Sequence, residues 1–163
     1  MIDATTHAQI ADKAQALLER FDITEPVVDA VKIAKGLGIQ VREIVMPPRY
    51  ADVAGFYNER DKTIYVKATD KSWRKLFTVA HELGHIVLGH KNFEVLFRVQ
   101  NKDGEYSDAE SQANSFAASL LMPDFLLKKY LAKYNLTKKD SLEMAKIFGV
   151  SDAAMKPILL HLK

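Results

Sequence analysis

The hydrophobic positions of the first part of the chain recur at helical spacing. Within residues 6–21 they follow one face of a predicted helix, and they are Ile10, Ala14, Leu17, Leu18 and Phe21. A second helix is predicted to begin at Pro26, because proline suits the first position of a helix, and to end at Gly36 and Gly38. Both helices are expected to serve packing.

Three strands are predicted to follow these helices. The first covers residues 39–46 and ends at Pro47, which cannot donate a hydrogen bond within a sheet. The next two cover residues 53–57 and 63–67, and the turn between them indicates a hairpin. A small antiparallel sheet is therefore expected.

A more apolar segment comes directly after the hairpin. Residues 76–88 are apolar on most sides, which is typical of a helix buried in the centre of a domain. The same segment contains His81, Glu82 and His85. Burying such side chains is costly unless they are paired with one another or bound to a metal.

His81, Glu82 and His85 form the pattern His-Glu-x-x-His. Two residues four apart on a helix project about 40° from each other, so both imidazoles can bind one Zn²⁺ at about 2.0–2.1 Å. Glu82 then lies beside the ion, in the position of a general base that acts on a water molecule. The alternative, a surface pair of satisfied histidines, is disfavoured by the apolar surroundings.

A catalytic zinc site needs a third protein ligand. His90 is rejected for this role, because a residue five positions after His85 points about 140° away from it on a helix. Gly89 is also expected to end the helix, which makes His90 a capping residue.

A further helix is predicted to begin after a cap at Ser107 or Asp108 and to end near Leu121, before Pro123. Glu110 shares one face of it with Ala113 and Ala117, whose small side chains allow another helix to approach closely. Spacing alone leaves two interpretations open: a third zinc ligand, or a glutamate favoured by the helix dipole in the first turn. Weaker rivals lie in polar sequence, and they are Glu94, Asp103, Glu105 and Asp108.

Several other segments complete a pattern around these two helices. They are Gly55-Phe56-Tyr57, Ile64-Tyr65-Val66, Arg74, and residues 77–85, 110–117 and 120–123. Together they resemble the ImmA/IrrE family of metallo-endopeptidases, from about residue 25 to the C-terminus. The resemblance implies that His81, His85 and Glu110 bind zinc, with Glu82 as the base.

The expected fold class is α+β. It comprises a zincin-like metalloprotease core over residues 1–123, whose sheet packs on the buried active-site helix, and a C-terminal helical pair over residues 124–163. The resemblance implies that one strand edge beside the active helix pairs with an extended substrate. The alternative is a hairpin that only covers the helix. Candidate donors to a developing oxyanion are Tyr50, Tyr57 and Tyr106.

The C-terminal segment has the spacing of a helix-turn-helix, with Gly149 in the turn. Residues 124–163 contain eight lysines and four acidic residues, so a DNA-reading module is a rival interpretation. Pro157 is expected to break or kink the second helix, and the net charge of the whole chain is only +2. We therefore expect a structural pair or a partner-docking surface, without direct DNA binding.

Composition and patterning limit the remaining choices. The chain has no cysteine, so a metal site must use histidines and carboxylates. A signal-peptide pattern is absent, and no apolar run reaches the roughly 18 residues of a membrane span. A cytoplasmic location without a membrane partner is expected.

The resemblance implies a zinc-dependent endopeptidase that cleaves a specific regulatory protein. The expected substrate is a helix-turn-helix (XRE-type) repressor or an antitoxin, encoded nearby on a mobile element or in a stress-response pair. The alternative is a toxin-like or regulatory partner of such a repressor that acts by complex formation without turnover.

Overall fold

The computed structural model describes residues 3–90 and 107–163, which form helices around a three-stranded sheet. The elements are α1 (Ala4–Arg20), α2 (Ala30–Gly36), β1 (Gln40–Ile44), β2 (Gly55–Asn58), β3 (Thr63–Lys67), α3 (Ser72–Leu88), α4 (Asp108–Leu121), α5 (Asp124–Lys133), α6 (Ser141–Phe148) and α7 (Asp152–His161). A short 3-10 turn, Pro48–Tyr50, precedes β2. The α+β class is confirmed.

The sheet has the strand order β1-β3-β2. The predicted hairpin is present, because β2 and β3 pair antiparallel with Gly55 opposite Val66. The expectation of an antiparallel sheet is wrong for β1, which pairs parallel to β3 with Gln40 opposite Thr63. Residues 45–54 connect β1 to β2, which lies two strand positions away in the sheet. The chain then turns back, and β3 fills the position between them and runs parallel to β1.

Helix α2 begins later than its sequence predicts. It starts at Ala30 rather than at Pro26, and Asp29 is its N-cap, with a side chain that accepts a hydrogen bond from the Lys32 amide at 3.0 Å. An N-cap aspartate satisfies one of the backbone donors that the first turn of a helix leaves without a partner, which accounts for the later start.

Helix α3 packs on the sheet and on α4, and its middle is buried. The predicted close approach of α4 is confirmed, since Ala113 and Ala117 are fully buried. A Cβ atom added to Gly84 would lie 3.1 Å from the backbone of Ala113 and from the Cβ of Phe116. Only a residue without a side chain fits there without moving α4.

The C-terminal helices share the core of the rest of the protein. Met144, Phe148, Met155 and Leu159 are fully buried and belong to the same hydrophobic cluster as residues of α3 and α4. The boundary between a core and an extension at residue 123 stays a prediction.

The predicted turn between α6 and α7 is present, with Gly149 at a φ of 66°. Pro157 does not break α7, which continues to His161. Interior proline costs a helix roughly 3 kcal/mol, whereas burying Met155 and Leu159 is worth about 1.5–3 kcal/mol each. Tertiary packing therefore retains the helix.

Among the helices in residues 3–90 and 107–163, none has both the length and the apolar composition needed to cross a membrane.

Replacing Gly84 by valine should separate α3 from α4. The added side chain would meet backbone and a fully buried phenylalanine, so we expect the free energy of unfolding to fall by about 2–3 kcal/mol. Urea denaturation of the metal-free protein measures the change. The control is Ala153→Val on the exposed surface of α7, which should cost less than about 1 kcal/mol. Equal effects of the two variants would contradict a tight contact at Gly84.

Candidate metal centre

Helix α3 places two histidines in the interior of the protein. His81 and His85 are each 3% exposed and lie one turn apart on the side of the helix that faces α4. Their rings meet edge to face with centroids 4.7 Å apart, and their Nε2 atoms are 3.0 Å apart. Both Nε2 atoms therefore point into the same small space.

Helix α4 brings a carboxylate into this space from the other side. Ser107 caps the helix by accepting a hydrogen bond from the Glu110 amide at 3.3 Å, which fixes Glu110 in the first turn. Glu110 is only 6% exposed, and its Oε2 lies 3.2 Å from His81 Nε2 while its Oε1 lies 3.1 Å from His85 Nε2. Glu110 therefore contacts both histidines and is more than a first-turn glutamate that is favoured by the helix dipole.

The charge of Glu110 is set by two opposing effects. Burial by itself raises the pKa of this carboxyl, but the hydrogen bonds that His81 and His85 donate when a proton lies on Nε2, and the charges of these rings, act more strongly in the other direction. The net result holds the pKa of Glu110 well below its ordinary value. Glu110 is therefore a carboxylate at neutral pH, although it is buried.

The partner of His81 fixes which of its ring nitrogens carries the proton. Asn114 Oδ1 lies 2.9 Å from His81 Nδ1 and can only accept, so Nδ1 donates. In the neutral ring the lone pair is then on Nε2, the atom that faces Glu110. This is the tautomer that a metal-binding histidine needs, held by an outer partner as in known metal sites.

The three groups have the geometry and chemistry of a site for one metal ion. His81, His85 and Glu110 each offer one ligand atom, and these atoms all lie within 4.8 Å of one another. Ligands of a tetrahedral zinc at about 2.0–2.1 Å stand roughly 3.3 Å apart, close to the separations found here. Acceptor atoms that converge in a buried space repel each other unless a cation or a proton lies between them, so the residues fit a metal ion.

His90 lies behind His85. Its Nδ1 is 3.0 Å from His85 Nδ1, and its Nε2 is 3.0 Å from Gln112 Oε1. The backbone amide of His90 donates to the carbonyl of His85 at 3.1 Å, which agrees with the predicted capping role. Burial lowers the pKa of His90 and favours its neutral form. The side chain touches the face of His85 that is turned away from Glu110.

A small cavity adjoins the three groups. It is lined by Val53, Ala54, Gly55, Thr78, His81, Glu82 and Glu110, and its volume is about 20 Å³. This is room for about one water molecule. Glu82 is 9% exposed and lines the cavity without belonging to the group that could hold a metal. The side chain is placed next to a ligand-sized space from which bulk water is largely excluded.

The oxyanion candidates are placed elsewhere or are not described. Tyr57 belongs to the hydrophobic core, where burial raises its pKa, and the ring of Tyr50 stacks beneath Arg49 at 4.6 Å. Neither tyrosine lines the cavity in the part of the chain that the structure describes. Tyr106 lies outside the described residues.

Of the alternatives to Glu110, only Asp108 lies within the described residues, and it does not belong to the group of converging ligand atoms. Asp108 is exposed at the start of α4. Glu94, Asp103 and Glu105 lie outside the described residues.

Sequence reasoning missed the partners of the two histidines. Asn114 lies four residues after Glu110 on the same stripe of α4, so its position was available from the spacing. The rule that a metal-binding histidine donates its other ring proton would have selected it. The contact of His90 with Gln112 carried no sequence signal, because it joins residues on two separate elements.

Comparison with known proteins gives a family and a fold. A family model described as Peptidase M78, IrrE N-terminal-like domain, matches residues 34–156. The chain is 31% identical over 81 residues to a protein named "Uncharacterized immunity region protein 2" of Bacillus phage phi105, with 48% of this chain and 51% of that protein covered. The chain thus spans about half the length of the curated relative it matches.

A solved structure supports the fold alone. It is described as a Mycobacterium tuberculosis transcriptional regulator, and it superimposes with a TM-score of 0.67 at 15% identity. The match covers 90% of this chain and 54% of that one. Since the family model covers most of the chain and includes both helices of the candidate centre, the chain belongs to the Peptidase M78 family with its IrrE N-terminal-like domain.

Proposed function

We propose that this protein is a zinc-dependent endopeptidase that cleaves a specific regulatory protein. The observation that carries the proposal is the buried convergence of His81, His85 and Glu110 beside a cavity lined by Glu82. Membership in a peptidase family supports it. In this proposal His81, His85 and Glu110 are the metal ligands and Glu82 is the catalytic base.

The donor set favours zinc. Two imidazoles and one carboxylate form a ligand set of catalytic zinc sites, and the chain has no cysteine to offer a thiolate. When bound, zinc lowers the pKa of a water molecule to about 7 and polarises the carbonyl group of a substrate.

Glu82 would move the proton in both halves of the reaction. Its carboxylate accepts a proton from a water molecule in the cavity, and the water oxygen forms a bond to the scissile carbonyl carbon. The carbon–nitrogen bond then breaks as Glu82 returns the proton to the leaving amine. Burial of Glu82 supports this role, because an acid–base group acts more strongly where competing water is excluded.

The edge of β2 is suited to hold an extended substrate. Within the described residues β2 pairs only with β3, and Gly55 at its start lines the cavity with Glu82. The Lys67 amide donates to the carbonyl of Ala54 at 2.8 Å, so this pair is a hydrogen-bonded one. Because such pairs alternate, the backbone groups of Gly55 and Tyr57 face away from β3. They would pair with a peptide that runs antiparallel to β2.

The proposed substrate is a helix-turn-helix repressor or an antitoxin encoded near the gene. The relative named for a phage immunity region supports a partner from a regulatory pair of this kind. If the protein instead acts by complex formation, it would bind such a repressor and leave the peptide bonds intact.

Replacing Glu82 by glutamine should remove cleavage and keep the metal. The amide cannot accept the proton, so we expect the rate of repressor cleavage to fall by about 10²–10⁴-fold. Cleavage is followed by gel electrophoresis and mass spectrometry with the helix-turn-helix repressor encoded nearest to the gene. Elemental analysis should give the zinc content of the wild type, because Glu82 lies outside the ligand group.

The control is Glu59→Gln in the exposed turn of the hairpin, which should cleave like the wild type. Cleavage by Glu82→Gln at the wild-type rate would contradict the assigned base. Stable binding of the repressor without cleavage by the wild type would favour the complex-forming alternative.

Substrate pairing with β2 should appear as an alternating pattern in the substrate. In a peptide that spans the mapped cleavage site, N-methylation of the amides that bond to Gly55 and Tyr57 should abolish cleavage. Methylation of the amides between them should be tolerated, since successive residues of a strand point in opposite directions. A series of singly methylated peptides measures this. Uniform tolerance along the peptide would exclude pairing with a strand edge.

A further inference from the structure

A chain of hydrogen bonds links His85 to a residue of α4 that the proposed mechanism does not use. It runs from His85 Nδ1 to His90 Nδ1 over 3.0 Å, and from His90 Nε2 to Gln112 Oε1 over 3.0 Å. The rings of His85 and His90 meet edge to face with centroids 5.1 Å apart. The two rings therefore meet through their Nδ1 atoms, which is the geometry of a hydrogen bond.

The direction of the hydrogen bonds follows from Gln112, the last residue in this series of contacts. Gln112 Oε1 only accepts, so His90 Nε2 carries a proton. In the neutral ring His90 Nδ1 then has a lone pair and must accept from His85 Nδ1. His85 is left with its own lone pair on Nε2, the atom that lies 3.1 Å from Glu110.

The ends of α3 and α4 bring His90 and Gln112 close to His85. Gly89 ends α3 with a φ of 71°, a left-handed conformation that glycine adopts without steric cost. The turn brings His90 back over the last turn of the helix, where its amide also donates to His85. Gln112 lies two residues after Glu110 on α4. The same two helices thus supply the proposed ligands and the groups behind them.

We propose that His90 and Gln112 are positioning residues that hold His85 in its Nδ1-protonated tautomer, with the lone pair of Nε2 directed at the metal position. Asn114 does the same for His81 through a single amide oxygen. The expected effect on metal affinity rests on the proposed function. The tautomer of His85, in contrast, is a property of the metal-free protein and can be measured by itself. Outer partners of this kind typically contribute about 10–100-fold to metal affinity.

The test uses variants of the full chain that differ in hydrogen-bonding capacity. His90→Phe keeps a ring and removes both nitrogens, whereas His90→Asn offers an amide oxygen near the place of Nδ1. Gln112→Leu removes the acceptor, whereas Gln112→Glu can only accept. Asn114→Leu serves as the comparison on the other histidine, and His161→Phe, at an exposed position on α7, is the matched control.

Two measurements at pH 8 separate positioning from general damage. Zinc affinity is measured by competition with a chromophoric chelator, and long-range ¹⁵N–¹H spectra of the metal-free protein report which nitrogen of His85 carries the proton. Circular dichroism and thermal unfolding check that each variant folds. All of these readouts are independent of protease activity.

We expect His90→Phe to lose about 10–100-fold in zinc affinity and to show His85 as a mixture of tautomers. Gln112→Leu should change both readouts in the same direction. His90→Asn, Gln112→Glu and His161→Phe should keep wild-type behaviour. Retention by Gln112→Glu has particular weight, because a carboxylate can replace the amide only if the amide oxygen is the acceptor.

Unchanged affinity and an unchanged His85 tautomer in His90→Phe would overturn the inference. An unprotonated Nδ1 of His85 in the wild type would overturn it as well. A wild-type protein that binds no zinc would contradict the proposed function, while the spectra of His85 would still decide the role of His90.

Discussion

Two imidazoles and a carboxylate lie buried between α3 and α4, and the cost of taking them out of water constrains the structure around them. Such groups are stable in an interior only when each polar atom has a partner. Here the Nε2 atoms of His81 and His85 face Glu110, and their Nδ1 atoms bond to Asn114 and His90. These outer hydrogen bonds turn the two ring acceptors toward the carboxylate of Glu110, which is an arrangement that a cation stabilises.

The rest of the fold serves to keep the two helices in this relation. Gly84 and Ala113 allow α3 and α4 to approach closely, and Ser107 fixes the turn in which Glu110 lies. The hairpin leads directly into α3 and sets the start of β2 beside the cavity. The C-terminal helices complete the same hydrophobic core. A change in the separation of α3 and α4 should therefore disturb the geometry of the site more than the pairing of the strands.

The sequence predicts the parts of this centre that depend on local spacing. The interval between His81 and His85 and the small residues that follow Glu110 are helical patterns, and they are readable without a structure. Other features depend on contacts between distant segments. The parallel pairing of β1 needs the path of residues 45–54, and the partnership of His90 with Gln112 needs α3 and α4 to be in place.

Competition between local signals explains the late start of α2 and the continuation of α7. Pro26 suits a first helical turn, but Asp29 provides a cap and α2 begins after it. Pro157 disfavours a helix, yet α7 continues through it because its apolar face is buried. In both cases an interaction that stabilises the folded state outweighs the preference of a single residue.

The most direct measurement is the metal content of the purified protein and of two variants. Elemental analysis of the wild type, His85→Ala and Glu110→Ala, prepared without chelators, should give about one zinc per wild-type chain and little in either variant. That result would establish the centre and its carboxylate ligand together. A wild type without metal would contradict the account, and full zinc content in Glu110→Ala would show that the third ligand is another residue.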